Sequence, residues 1–224
     1  MKTRVPILDR QLWFPDPREA VLDGLVAIGG DLSVERLMLA YRTGVFPWTV
    51  NPVTWWSPDP RGIFELDRFH VSRSLSRVIR RGDFQITMDE AFREVVEGCA
   101  APAPGRRSTW ISAEFIDAYT RLHVEGHAHS VECWVGDELA GGIYGVAIGG
   151  LFAGESMFHR ASNASKVALF HLVEHLKGCG FRLFDIQMVT PITLQLGATT
   201  ISQDQYLERL AEAVETPCGF RPEG

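Results

Sequence analysis

Apolar positions along the chain fall into two regimes. After Arg61-Gly62 they recur with clear periods, whereas the first sixty residues are interrupted by Pro15, Pro17, Pro47, Pro52, Pro58 and Pro60. One helix stands out in that first stretch. Ser33 can cap it, Val34, Leu37, Met38 and Tyr41 recur at i, i+3, i+4 and i+7, and Gly44 ends it. Further helices are expected over 72–81 with Gly82 as the stop, over 89–97, and from Ser112 to Gly126, where Phe115, Ile116, Tyr119 and Leu122 share a face. A proline-containing loop is expected at 101–105. Three short runs, 130–135, 139–146 and 150–154, joined by Gly-Asp-Glu and Ile-Gly-Gly, read as an antiparallel meander. A helix over 163–177, a strand over 181–187 and a helix over 203–214 follow. This order predicts an α+β fold with a mixed sheet, divided into a small proline-rigidified lobe at 1–63 and a larger domain at 64–224.

Composition narrows the class. A chain of 224 residues with 46% hydrophobic and 22% charged residues belongs among soluble globular proteins and is long enough to bury a sizeable core. Cys99, Cys133, Cys179 and Cys218 are far apart in sequence and form no C-x-x-C pair, so reduced cytosolic thiols are expected rather than a zinc ribbon or a redox motif. The first residues meet Asp9, Arg10 and prolines before any apolar run of signal-peptide length develops, and the longest weakly polar stretch, 141–154, carries six glycines. A cytoplasmic protein without a membrane partner is the expectation.

The formal charge of −6, from 22 basic and 28 acidic residues, argues at first against nucleic acid. Its distribution changes that reading. From residue 68 to 82 there are five arginines and no acid, which leaves 17 basic residues against 28 acids, or −11, for the remainder. Arg73, Arg77 and Arg80 fall at i, i+4 and i+7, one stripe of a helix whose other side is Leu75, Val78 and Ile79. Such a stripe suits local phosphate binding, because arginine grips phosphate bidentately. A solvated helix face paired to acids elsewhere is the bland alternative.

Three motifs invite chemistry. His171, Glu174 and His175 match H-x-x-E-H, an inverted zinc-protease signature. Helix phase opposes it, since Leu169, Leu172, Val173 and Leu176 form the apolar stripe and the three polar residues point the other way. His123, His127, His129 and Cys133 straddle Gly126 and enter a strand, so no metal is expected there either. Residues 154–158 begin like G-x-S-x-G but lack the final glycine of a nucleophile elbow. Glu155 at the end of the meander, with Asp185 and Gln187 at the end of the next strand, is the remaining candidate, because neighbouring strand ends converge where ligands bind in open α/β sheets. Phe184, Ile186 and Met188 would then face one side, Asp185 and Gln187 the other. The competing possibility is that Asp185 merely receives backbone or arginine hydrogen bonds.

Several long segments together resemble the leucyl/phenylalanyl-tRNA–protein transferase family. They are GLVAIGGDLSVERLMLAYRTGVFPW (24–48), WWSPDPRG (55–62), TWIS (109–112), HAHSVECW (127–134), GGIYGVAIGGLFAGESMF (141–158), NASK (163–166) and FDIQ with LGA (184–198). They occur in order across roughly residues 11–210. The resemblance implies a small N-terminal domain followed by a GNAT-like acyltransferase fold. It implies a bacterial cytoplasmic enzyme that moves Leu or Phe, less readily Met, from aminoacyl-tRNA to an N-terminal Arg or Lys and so creates a degradation signal. No cofactor, metal or DNA is implied. An aminoacyl ester is already activated, so such an enzyme has to align amine and ester, take up the amine proton and stabilise the oxyanion.

By the same resemblance, Gln187 accepts a hydrogen bond from the attacking amine, Asp185 polarises or orients that arrangement and assists proton removal, and Glu155 helps to bind the reacting groups. Trp48, Trp110, Ile143, Phe152, Met157, Leu172 and Leu176 match the positions that line the aminoacyl side-chain pocket, although ordinary core explains Leu172 and Leu176 as well. Arg73, Arg77, Arg80 and Arg81 would meet tRNA backbone phosphates. Ile192 departs from the pattern, standing where many relatives carry His, and Ile143 and Leu172 stand where Met and Phe occur in some. Two rival readings compete with this one. An acyl-CoA N-acetyltransferase would need a glycine-rich pyrophosphate loop, but the helix at 163 is entered through Arg-Ala-Ser-Asn. A non-catalytic aminoacyl-tRNA binding module fits poorly with retention of Glu155 and Asp-x-Gln.

Overall fold

The computed structural model describes residues 5–102 and 109–220. The loop expected at 101–105 therefore lies mostly outside the described residues. The first sheet has four strands in the order β1-β2-β4-β3, built from β1 (Ile7–Leu8), β2 (Leu25–Gly29), β3 (Phe46–Val50) and β4 (Val53–Trp56), with helix α1 (Val34–Arg42) between β2 and β3. Proline punctuation concealed these strands from a periodicity reading. The side chain of Ser33 caps α1 as expected, accepting from the Arg36 amide.

Strand β5 (Arg61–Phe64) crosses the expected boundary at residue 63 and belongs to the second sheet. That sheet has seven strands, ordered β11-β5-β10-β9-β8-β7-β6. The others are β6 (Gln85–Met88), β7 (Ala128–Val135), β8 (Glu138–Ile148), β9 (Leu151–His159), β10 (Leu183–Gln187) and β11 (Ala198–Ile201). β7, β8 and β9 form the expected meander, each longer than its sequence run because the pairing runs on away from the turns, to Ala128 opposite Val146 and to Gly141 opposite His159. β10 then pairs in parallel with β9 and antiparallel with β5, so the sheet is mixed. The α+β expectation and its meander–helix–strand order are met.

Helices α2 (Arg73–Arg81) and α5 (Ala164–Gly178) cover one face of this sheet, and α3 (Phe92–Ala100) and α4 (Ala113–Val124) the other. α2 stops at Gly82, which adopts the left-handed conformation. α3 starts three residues later than expected, after Asp89 takes a positive φ. A short α6 (Pro191–Gln195) follows β10, and α7 (Gln203–Val214) closes the fold. The lobe does not bury a core of its own: Leu37, Ala40 and Tyr41 of α1 share one apolar cluster with Phe115, Tyr119 and Leu122 of α4. Burial of such side chains contributes roughly 1.5–3 kcal/mol each, which ties the first sheet to the second.

Candidate active site

The chain path makes an opening between β9 and β10. In β9 the pairing with β8 skips a residue, Tyr144 opposing Ser156 and Gly145 opposing Gly154, so Glu155 is the extra residue of a β-bulge. Bulges bend a strand and re-aim a side chain. In β10 the register with β5 slips between Asp185 and Gln187, and Gln187 has φ +56°. A non-glycine residue there carries backbone strain that its surroundings must hold. Together these two irregularities place Glu155 and Gln187 on one cavity of about 570 Å³, with Ile143, Met157, Leu169, Phe184 and Ile186 as apolar lining and Met188, Pro191 and Ile192 near Gln187 in the chain. The expected alternation breaks at this slip. Gln187 and Met188 line the same cavity as Ile186.

Glu155 is half-buried and held by phenols. Tyr41 donates to Oε1 at 2.7 Å and Tyr119 to Oε2 at 2.8 Å, and the two hydroxyls lie 2.7 Å apart. Burial raises the Glu155 pKa to about 7; the two phenol hydrogen bonds and Arg61 oppose the rise, and the Asp185 charge adds to it. Burial, then the Glu155 charge, pushes both tyrosines well above their ordinary values, so each remains a donor. Gln187 Nε2 donates to Glu155 Oε1 at 3.3 Å. With the nitrogen committed to an acceptor, the amide oxygen of Gln187 is the atom left for an incoming N–H.

Asp185 sits behind this pair and is 1% exposed. Its Oδ1 accepts from Arg61 Nε and from the Gln187 amide, both at 2.9 Å, and its Oδ2 accepts from Arg61 Nη2 at 2.7 Å and the Tyr206 hydroxyl at 2.9 Å. Four donors occupy the carboxylate. The arginine and backbone hydrogen bonds of the competing possibility for Asp185 are thus present, and they place the group beneath Gln187 rather than on the cavity.

The expected pocket residues divide. Ile143 and Met157 line the cavity, whereas Phe152, Leu172 and Leu176 are completely buried in the core beneath it. Trp48 and Trp110 stack on each other with centroids 6.4 Å apart, against the apolar cluster on the opposite face of the sheet. Arg73, Arg77, Arg80 and Arg81 are all exposed on α2. Arg81 pairs with Asp83, and Arg73 and Arg77 form no ion pair among the described residues. On α5, Leu172 and Leu176 are buried as the helix phase required. His175 is only partly exposed, because its Nε2 is within 2.5 Å of the Phe220 carbonyl and its ring packs on that of Phe220. Among the described residues no group of three or more His, Cys, Asp or Glu is placed to hold a metal ion, and no helix is long and apolar enough to cross a membrane.

Periodicity assigned Tyr41 and Tyr119 to apolar helix faces and gave Arg61 no role. A signal existed for the tyrosines: a buried phenol needs a hydrogen-bond partner, and two of them on core faces imply a polar group between. Arg61 carried no comparable signal.

Comparison with known proteins agrees with this architecture. Residues 63–211 match the family model described as leucyl/phenylalanyl-tRNA protein transferase, and residues 30–59 match its N-terminal domain. A leucyl/phenylalanyl-tRNA–protein transferase of Anaeromyxobacter sp. strain Fw109-5 is 52% identical over 94% of this chain and 91% of its own length. That of Oleidesulfovibrio alaskensis is 48% identical over 96% and 94%. Among solved structures, L-PGS from Bacillus licheniformis is a remote likeness, at TM-score 0.43 and 15% identity over 71% of this chain and 54% of that one.

Proposed function

The chain belongs to the leucyl/phenylalanyl-tRNA–protein transferase family, and from that premise we propose that it transfers Leu or Phe, and less readily Met, from aminoacyl-tRNA to the N-terminal Arg or Lys of cytoplasmic acceptor proteins. The observation that carries the reading is the Glu155–Gln187 pair on an apolar cavity. The aminoacyl side chain enters the apolar part, between Ile143, Met157 and Leu169. The acceptor amine, with an ordinary pKa of about 7.7–8.0, donates to the free oxygen of the Gln187 amide and attacks the ester carbonyl carbon. The C–N bond forms and the bond to the ribose oxygen breaks. Glu155, ionising near neutrality, receives the amine proton and passes it to the ribose oxygen, which leaves as a hydroxyl. Asp185 serves as an electrostatic and geometric support for Gln187.

In this reading residues 1–63 form a lobe that contributes Tyr41 to the site and Trp48 to its surroundings, and residues 64–224 carry the reacting groups. The exposed Arg73, Arg77, Arg80 and Arg81 hold tRNA phosphates, while Phe152, Leu172 and Leu176 shape the pocket from behind its lining and Trp110 joins Trp48 on the other face of the sheet. Incubation with radiolabelled Leu-tRNA and a peptide bearing N-terminal Arg tests it. Label that stays acid-stable after ester hydrolysis is the expected result, and none in the peptide would overturn the proposal.

A further inference from the structure

Gln187 has a strained backbone, and something must pin it. Two neighbouring residues of β5 do so from independent directions. The Arg61 guanidinium grips Asp185 bidentately, and Asp185 Oδ1 accepts the Gln187 amide at 2.9 Å. Gly62 is the register partner of Gln187, and a Cβ there would stand 2.8 Å from the Met188 carbonyl carbon, so the strand approaches the turn as closely as glycine allows. Arg61 is itself fixed. Its Nη1 donates to the Gly44 carbonyl at 3.1 Å, and its guanidinium carbon lies 4.9 Å from the Phe46 ring centroid and 4.3 Å from that of Tyr206. Tyr206, from α7, donates to Asp185 Oδ2 at 2.9 Å and accepts from Arg61 Nη2 at 3.2 Å.

A buried ion pair is poor evidence for stability, because its desolvation cost offsets much of its attraction. What such a pair provides is fixed geometry, and here the fixed group is one bond network away from the reacting amide. We infer that Arg61, together with Tyr206, is a positioning residue for the transfer reaction: it never touches substrate, but through Asp185 it holds the Gln187 turn at the angle that presents its side-chain amide to the amine. The inference rests on the role proposed for Gln187.

Two readouts test it on the full chain, one of them independent of activity. The first is hydrogen exchange at the Gln187 amide, followed by NMR in the parent protein, Arg61→Lys, Tyr206→Phe and Asp185→Asn. Lysine keeps the charge but loses the planar fork, so exchange at Gln187 is expected to rise about tenfold or more in Arg61→Lys, with the β8–β9 amides unchanged. The second is a kinetic double-mutant cycle. Arg61→Lys should lower kcat about tenfold with both KM values within about twofold, and Arg61→Lys/Asp185→Asn should be no slower than Asp185→Asn alone, since residues acting through one contact are not additive.

If Arg61→Lys does not fold, the same cycle is run with Tyr206→Phe, which touches the same carboxylate and leaves the ion pair in place. Unchanged exchange at Gln187, or losses in kcat that multiply, overturns the positioning role. A parent protein that transfers nothing, yet shows the expected exchange pattern, overturns the functional proposal and leaves the positioning geometry supported.

Discussion

Gln187 donates its side-chain amide to Glu155 Oε1 at 3.3 Å, so its orientation is set by a group that accepts. Removing that amide removes the acceptor offered to the incoming amine without disturbing the apolar lining. Gln187→Ala is therefore expected to lower single-turnover transfer by roughly 10²-fold, within the range of a lost general acid–base or oriented hydrogen-bond contribution, while aminoacyl-tRNA affinity changes little. Single-turnover rates measured beside filter-binding affinities check this. Equal losses in both would remove the proposed role.

The phenols make a prediction about pH. Tyr41 and Tyr119 both stabilise the ionised form of Glu155, so they oppose the rise in its pKa that burial causes. Tyr41→Phe deletes one of those donors. The pKa of Glu155 then moves above about 7, and the acidic limb of the kcat profile shifts to higher pH, with Tyr119→Phe acting in the same direction. Profiles recorded at saturating substrates, which report the bound complex, decide the matter. A limb that stays in place in both variants would mean that the titrating group is not Glu155.

Much of this site was legible in the sequence for a physical reason. The meander, α5 and α7 are long elements whose periodicity survives, because each packs one face on the core. Glu155, Asp185 and Gln187 could be named as polar residues at the ends of strand-like runs, although Glu155 lies in the middle of β9 because that strand continues to His159. What could not be read was the geometry that separates their roles. The positive φ of Gln187 falls where no glycine or proline announces it, and the bulge at Glu155, although Gly154 precedes it and Gly145 faces it, gives no sign in the sequence of how it aims the carboxylate. Arg61 reaches Asp185 across 124 positions of sequence, and that contact decides that Asp185 supports the site from beneath. The lobe strands were hidden differently, since prolines that read as loop punctuation are accommodated at strand ends and irregular pairings, as Pro47 is beside a register shift.

The stripe on α2 predicts a salt dependence. Arg77 and Arg80 are exposed, and the only side-chain hydrogen bond of Arg80 among the described residues is to the Ser76 carbonyl of its own helix. Reversing both charges in Arg77→Glu/Arg80→Glu should weaken tRNA binding at low salt and reduce the slope of log affinity against log salt by about 2, one for each lost phosphate contact. Titrations between low and moderate salt measure the slope. An unchanged slope would move the tRNA path to another face. Thermal stability should be little altered, because solvated ion pairs contribute only about 0–1 kcal/mol.

Glu155 also predicts a conflict between stability and function. An acid whose folded pKa lies above its unfolded value holds its proton preferentially in the fold. The stability that this proton carries is present below the ordinary carboxyl value of 4.5 and is lost as pH rises through about 7. Glutamine at this position keeps the shape, carries no titrating proton, and pays no penalty for a buried charge. Glu155→Gln is therefore expected to melt near the parent at pH 5 and above it at pH 8, by a few degrees, since each kcal/mol moves the midpoint of a chain this size by roughly 2–4 °C. Transfer should fall at the same time by roughly 10²-fold, because the amine proton loses its acceptor. Melting curves across that pH range test the first half. A difference between the two proteins that stays constant from pH 5 to pH 8 would show that the Glu155 carboxyl does not carry the raised pKa. In that case the proton must be taken elsewhere.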